Sequence, residues 1–329
     1  MSVRVSRRTA AASFGLAAAL VLAACANPDE GGTTDVAASG DGKTITKINT
    51  SPDQKRITTG KVDSIAAEVP KEIRERGTLK LVGSAGSQAP LGFYATDNKT
   101  RIGVEIDLAY LVSNVLGLKP EYTPVSWENI FVGLDSAKYD AGLSNITVTE
   151  ERKEKYDFAT YREDNLAFEA KKDSGLKVTG PKDVAGQTVA VGSGTNQEKL
   201  LIEWSKENEK AGRKPVDIKY YQNDSDTYLA LQSGRIDLYL GPNPTAAYHA
   251  ATTGKTEVVG TYSGAGSTLQ GLIAATTKKD SGLVKPLAAA IDEIIDNGMY
   301  AKVLKRWGLS DEAVTKSEIN PPGLPKTNK

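Results

Sequence analysis

"SNITVTEERKEKYDF", residues 144–158, opens with small side chains that carry hydroxyl or amide groups and then brings in one arginine. "YDAGLS", which reads as a strand, ends at Ser144 and leads into Asn145, Thr147 and Thr149. Thr149 is a good helix N-cap before "EER", which puts Arg152 in the first turn on the side of the free N–H groups. A guanidinium fork can hold a carboxylate through two parallel hydrogen bonds, and hydroxyls and amides can complete the shell. The competing reading is a surface salt bridge from Arg152 to Glu150, Glu151 or Glu154.

Outward from this stretch, strand and helix patterns alternate. "TLKLVGS", "PEYTPV", "QTVAVGS", "VDIKYY" and "RIDLYLG" read as strands. "IDLAYLVSNVLGL" places Leu108, Leu111, Val112, Val115 and Leu116 at helical spacing before Gly117. "WENIFVGLDSAK", "LVKPLAAAIDEIIDNG" and "YAKVLKRWG" are further helices. Such alternation predicts an α/β fold with mostly parallel strands. "LDSAKYDAGLSN" and "LQSGRIDLYLGP" share the template Leu-x-Ser-small-basic-x-Asp-x-x-Leu, which points to two similar lobes. Each lobe would present a loop at the carboxyl end of a strand, where open α/β sheets bind ligands. "GSGTNQEKL" directly follows the strand "QTVAV". Thr195 and Glu198 form a capping-box pattern there, and Gly192 and Gly194 let the backbone approach a ligand.

The first residues have the layout of a secretory signal: Arg4, Arg7 and Arg8, then a short apolar run, then "LAAC" ending at Cys25, the chain's one cysteine. "LAAC" resembles a bacterial lipobox, which implies lipidation of Cys25 and an anchor on the extracytoplasmic face of the cell membrane. "SRR" leaves Sec and twin-arginine export both open. Residues 26–64, rich in Gly, Ser, Thr and Asp, read as a flexible linker, and residues 309–329 as a loose tail. The 41 basic and 41 acidic residues argue against a nucleic-acid binder.

The body resembles the extracellular solute-binding proteins of ABC importers, in the polar amino-acid cluster called family 3. The resemblance rests on five ordered motifs: "APLGFYATDNKTRIGVEIDLAYLVSNVLGL", "VSWENIFVGLDSAKYDAGLSNITVTEERKEKYDFA", "DVAGQTVAVGSGTNQE", "LALQSGRIDLYL" and "NGMYAKVLKRWG". It implies a two-lobed type II periplasmic-binding fold with lobe 1 at 77–167 plus 272–308 and lobe 2 at 168–271. Two crossing strands, near "LAFEAKK" and "LQGLIAATT", would form the hinge. It implies a small polar, carboxylate-bearing solute, an amino acid or derivative, handed to an ABC permease. Arg152 would grip the carboxylate, with Ser144, Asn145, Thr147, Thr195, Asn196, Gln197 and Asn243 around the ligand. Trp127 would pack on its side chain, unless it is a core tryptophan. The chain is read as a monomer with no cofactor and no metal.

The resemblance departs from its pattern at one place. Amino-acid binders of this family usually carry an acid for the ligand ammonium just after the strand equivalent to "RIDLYL", where this chain reads "GPNP". Either the ligand amine is absent or modified, or an acid such as Asp224 or Asp226 comes from elsewhere. The rival readings are a sensor or adhesin, or a hydro-lyase using Glu105, Asp107 or Glu128 as its acid. A Ser-His-Asp triad would have to use His249, and no "GxSxG" elbow accompanies it.

Overall fold

The computed structural model describes residues 33–38, 44–86, 88–221 and 223–326. Its first elements are β1 (Thr33–Ala38) and β2 (Thr44–Asn49), an antiparallel hairpin, and two short helices, α1 (Asp63–Ala67) and α2 (Lys71–Arg76). Then come β3 (Thr78–Ser84), β4 (Phe93–Tyr94), β5 (Arg101–Ile102), α3 (Val104–Val115), β6 (Lys119–Val125), α4 (Trp127–Asp135) and β7 (Ala141–Gly142). One long strand, β8 (Tyr156–Lys171), leads to β9 (Thr188–Ala190), α5 (Asn196–Lys210), β10 (Asp217–Lys219) and α6 (Asp224–Gln232). β11 (Leu238–Pro242), α7 (Asn243–Thr253) and β12 (Thr256–Ser263) follow, and β13 (Gly271–Lys278), α8 (Val284–Asp296) and α9 (Met299–Trp307) return to the first half.

Strand β8 organises the sheet. Residues 156–164 pair antiparallel with β13, and residues from 165 onward pair antiparallel with β12 and β11. Away from these crossing strands the pairs are parallel, β6 and β7 on β3 in one half and β10 and β11 on β9 in the other. Each half buries its own apolar clusters. Leu79, Leu81, Leu111 and Trp307 belong to the first half, and Phe168, Val189, Leu201 and Trp204 to the second. Trp204 stacks on Phe168, and Trp307 donates its indole N–H to Asp107 at 2.8 Å.

The repeated template has a physical cause. Its two aspartates make the same pair of bonds. Asp140 accepts from Lys80 N at 2.7 Å and donates its own N–H to Lys80 O, while Asp237 does the same with Thr188 N and O, each at 2.8 Å. A helix therefore ends, turns and enters the sheet with its incoming strand clipped to the start of the neighbour. The template leucines, Leu134 and Leu231, are buried beneath that turn.

Both ends of the body correct the sequence reading. The 26–64 region is not a free linker over its described part. Ile48 and Gln54 are buried, Arg56 pairs with Asp107, and Val62 donates its N–H to Val115 O at 3.0 Å. The 309–329 tail is not loose where it is described, because Glu312 and Leu324 are buried. The "EER" segment forms a single 3-10 turn at Arg152–Glu154 rather than an α-helix, although Thr149 Oγ1 accepts from Arg152 N at 3.1 Å as a cap would. Cys25 and the signal segment lie outside the described residues. Among the described residues no helix is long and apolar enough to cross a membrane.

Glu105 and Asp107, weighed above as acids, are structural. Glu105 accepts from Tyr161 and from Arg162 Nη2, and Arg162 also donates to Glu312 and to Asn145 Oδ1. Asp107 faces Arg56, Arg306 and Trp307. Breaking a buried ion pair from one side strands the other charges in a medium that cannot solvate them. Arg162→Ala should lower stability by about 3–5 kcal/mol, read as a shift of the urea midpoint. An unchanged midpoint would show that the network contributes little.

Candidate ligand-binding cleft

Between the two halves lies a cleft of about 570 Å³. Its walls come from the carboxyl ends of strands, as open α/β sheets predict. β3 delivers Ser84, β7 leads to Ser144 and Asn145, β9 to Gly192, β10 to Tyr220, and β11 ends at Gly241 and Pro242. Helices α4 and α6 begin on opposite walls with Trp127 and Asp224.

Of the nine residues expected in the site, six line this cleft: Trp127, Ser144, Asn145, Thr195, Asn196 and Gln197. Ser144 Oγ accepts from Ser84 N at 2.7 Å, which locks the two adjacent strand ends together. Asn145 has a left-handed backbone, φ 52°, which asparagine tolerates better than most residues, and its amide oxygen is held by Arg162. Thr195 caps α5 by accepting from Glu198 N at 3.2 Å, and Glu198 returns to Gly194 N at 2.6 Å. That is the expected capping exchange, shifted by one residue. The first N–H groups of α5, at Asn196 and Gln197, have no helical acceptor and so favour an anion in the cleft. Gln197 Oε1 is buried without a hydrogen-bond partner.

Three expected residues are not on the cleft wall. Thr147 is buried and donates its hydroxyl to Asp164 Oδ2 at 2.7 Å. Asn243 is buried at the start of α7, and its Oδ1 lacks a partner. Arg152 sits behind the wall. Its guanidinium donates to Thr147 O at 3.0 Å and to Gly194 O at 3.2 Å, and lies over the rings of Trp127 (5.4 Å) and Phe131 (5.2 Å). Burial brings its pKa down to about 10, against the pull of Asp164. The expected salt bridge to the neighbouring glutamates does not form: Glu150 pairs with Lys153, Glu151 with Lys199 and Glu154 with Lys326.

Asp164 was not foreseen. It is 1% exposed in the middle of β8, and its Oδ2 accepts from Thr147 of one half and from Asn196 Nδ2 of the other, the latter at 3.1 Å. Its pKa is raised by burial. The one signal available was a run of charges, "RED", inside a strand pattern.

Asp224 and Asp226 separate cleanly. Asp226 turns back to the helix cap, where Asn223 Nδ2 donates to it at 2.9 Å. Asp224 lines the cleft and makes no hydrogen bond or ion pair among the described residues. Burial raises its pKa to about 6, opposed by nearby His249. His249 itself lies under the wall, stacked on Tyr228 and bonded to Glu169 at 2.6 Å. The charged residues on the described lining are Glu128 and Asp224, both acids.

Residues 81–310 match the family described as bacterial extracellular solute-binding proteins, family 3. The chain belongs to that family. This solute-binding protein is 32% identical over 246 residues to the L-cystine-binding protein TcyJ of Escherichia coli (strain K12), covering 74% of this chain and 87% of that one. It is 27% identical over 320 residues to the arginine-binding protein ArgT of Corynebacterium glutamicum, covering 96% of this chain and 97% of that one. Among solved structures, an ancestral arginine-binding protein bound to arginine superposes with a TM-score of 0.61 at 30% identity, over 70% of this chain and 98% of that one. These relatives are named as binding proteins, not as enzymes.

An acid whose folded-state pKa is raised opposes folding once it must ionise. In this solute-binding protein the penalty from Asp224 is absent below pH 4 and complete above pH 6. Asp224→Asn should therefore raise the urea midpoint at pH 7 and leave it unchanged at pH 4. An equal change at both pH values would mean that the carboxyl is not buried in this way.

Proposed function

We propose that the chain captures an amino acid with a positively charged side chain in the cleft and delivers it to an ABC importer permease. The observation that carries this reading is the pairing of chemistries within the cleft. Unpartnered N–H groups at the start of α5 share the cleft with two acids, Asp224 of the same half and Glu128 of the other. A zwitterion with an extra cation fits both ends. The α-carboxylate goes to the α5 N-terminus, with the Arg152 guanidinium behind it supplying positive potential. The α-ammonium goes to Asp224, which takes the place of the acid missing at Gly241 and Pro242. Glu128, in the first turn of α4, favours the cationic side chain, which Trp127 flanks. Arginine as the named ligand of several relatives agrees with this charge pattern. Nothing in the arrangement calls for bond breaking, and we read the chain as a binding protein rather than an enzyme.

Titration calorimetry tests the reading. L-arginine should bind more tightly than L-glutamine, and L-glutamate more weakly than both. Asp224→Asn should weaken L-arginine by about tenfold or more, since a hydrogen bond to a charged group contributes roughly 1.5–3 kcal/mol, and Arg152→Ala should weaken it severalfold by removing the positive potential behind the carboxylate. L-arginine affinity untouched by both substitutions would remove the assigned roles.

We further propose that Cys25 carries a lipid anchor, with the body held outside the membrane. A diacylated cysteine supplies the two chains that stable anchoring needs. Cys25→Ser should move the protein from the membrane fraction to the soluble fraction without changing L-arginine binding. Retention in the membrane fraction would sink the anchor.

A further inference from the structure

The stretch after α9 is fastened to the first half along its whole described length. Glu312 pairs with Arg162 in the interior. Ile319 bridges to Ala159 of β8, and Asn320 exchanges bonds with Phe158, donating its N–H to Phe158 O at 3.0 Å and accepting Phe158 N at 2.9 Å. The chain then turns through Pro321, Pro322 and Gly323 onto the segment that carries Arg152. Gly323 is required there, because a Cβ would come 2.3 Å from Val148 O. Leu324 donates its N–H to Val148 O at 3.1 Å and accepts from Glu150 N at 2.9 Å. Lys153 donates to Pro321 O, and Lys326 pairs with Glu154.

The side chain of Leu324 goes the other way. It is 4% exposed and belongs to the apolar cluster of the second half, with Leu166, Leu200 and Leu201. A residue bonded through its backbone to one half thus buries its side chain in the other. Separating the halves would expose that leucine to water, a cost absent from the closed form.

We propose that residues 318–326 are a latch on the closed state, with Leu324 as its fastening. The latch acts from behind the cleft and touches no solute. It biases the open–closed equilibrium that any bound solute also biases, so it sets how readily the cleft opens. It also holds the 148–154 segment, and with it Arg152, in the closed position.

Hydrogen exchange on the solute-free full chain tests this, and it needs no assumption about the ligand, so its failure is separate from any failure of the cleft reading. The variants are Leu324→Ala and a chain ending at Ser317. In both, amides facing each other across the cleft, in residues 144–152 and 191–198, should exchange roughly tenfold faster, while those of α3 and α8 keep the parent rate. Leu324→Ala folds with its backbone bonds available, so it keeps the test decisive if the shortened chain does not fold. Unchanged exchange at the cleft in Leu324→Ala would overturn the latch. So would an equal acceleration across α3 and α8, which would make Leu324 an ordinary core residue.

Discussion

One carboxylate oxygen registers the two halves of this molecule. Asp164 Oδ2, buried in the strand that crosses between them, accepts from Thr147 on one side and from Asn196 on the other. Thr147 heads the segment that positions Arg152, and Asn196 is the first residue of α5. A buried carboxylate must be hydrogen-bonded or it becomes too costly to keep ionised, so both partners are fixed by the same demand. The surroundings are built to that demand. Gly264 passes so close that a Cβ there would lie 1.8 Å from Asp164 Oδ2, and its carbonyl accepts the other N–H of the Asn196 amide at 3.1 Å. Closure of the cleft and order in the binding walls are thus one event.

Around that point the charges are layered. Acids reach the cleft surface, and the cation Arg152 stands behind it, tied to carbonyls and covered by two aromatic rings. Gly194 O, in the second half, accepts from both Arg152 and Trp127 of the first, the latter at 3.3 Å. A guanidinium with several donors can serve such carbonyls and still lend positive potential to the start of α5. On this layering rests the proposal of a ligand with a carboxylate at one end and positive charge over the rest.

Local pattern in the sequence carried the alternating elements, the repeat and the capped start of α5, because periodicity and caps depend on near neighbours. Six of the nine expected site residues lie together for the same reason: they sit at strand ends and helix starts that the pattern marks. Arg152, expected on the cleft wall, lies behind it with its guanidinium on backbone carbonyls. Whether a long side chain faces ligand or backbone depends on Gly194, more than forty residues away. The ends of the body were misread as free because their composition is polar. What holds Arg56 is Asp107, and what holds Glu312 is Arg162, partners far away in sequence that leave no periodic trace. Asp164 left only the charge run "RED" in a strand pattern as a trace, because its two donors come from opposite halves. The absence of an acid in "GPNP" was legible, and of the two aspartates weighed in its place the fold puts Asp224 on the cleft wall and turns Asp226 back to the helix cap.

A crystal structure of the chain grown with L-arginine tests the central claim most directly. The account predicts the amino acid between the halves, its carboxylate on the first N–H groups of α5 and its α-ammonium within hydrogen-bond reach of Asp224. A bound L-arginine in the reverse orientation, with its carboxylate toward Asp224, or one lying outside the cleft, would contradict it.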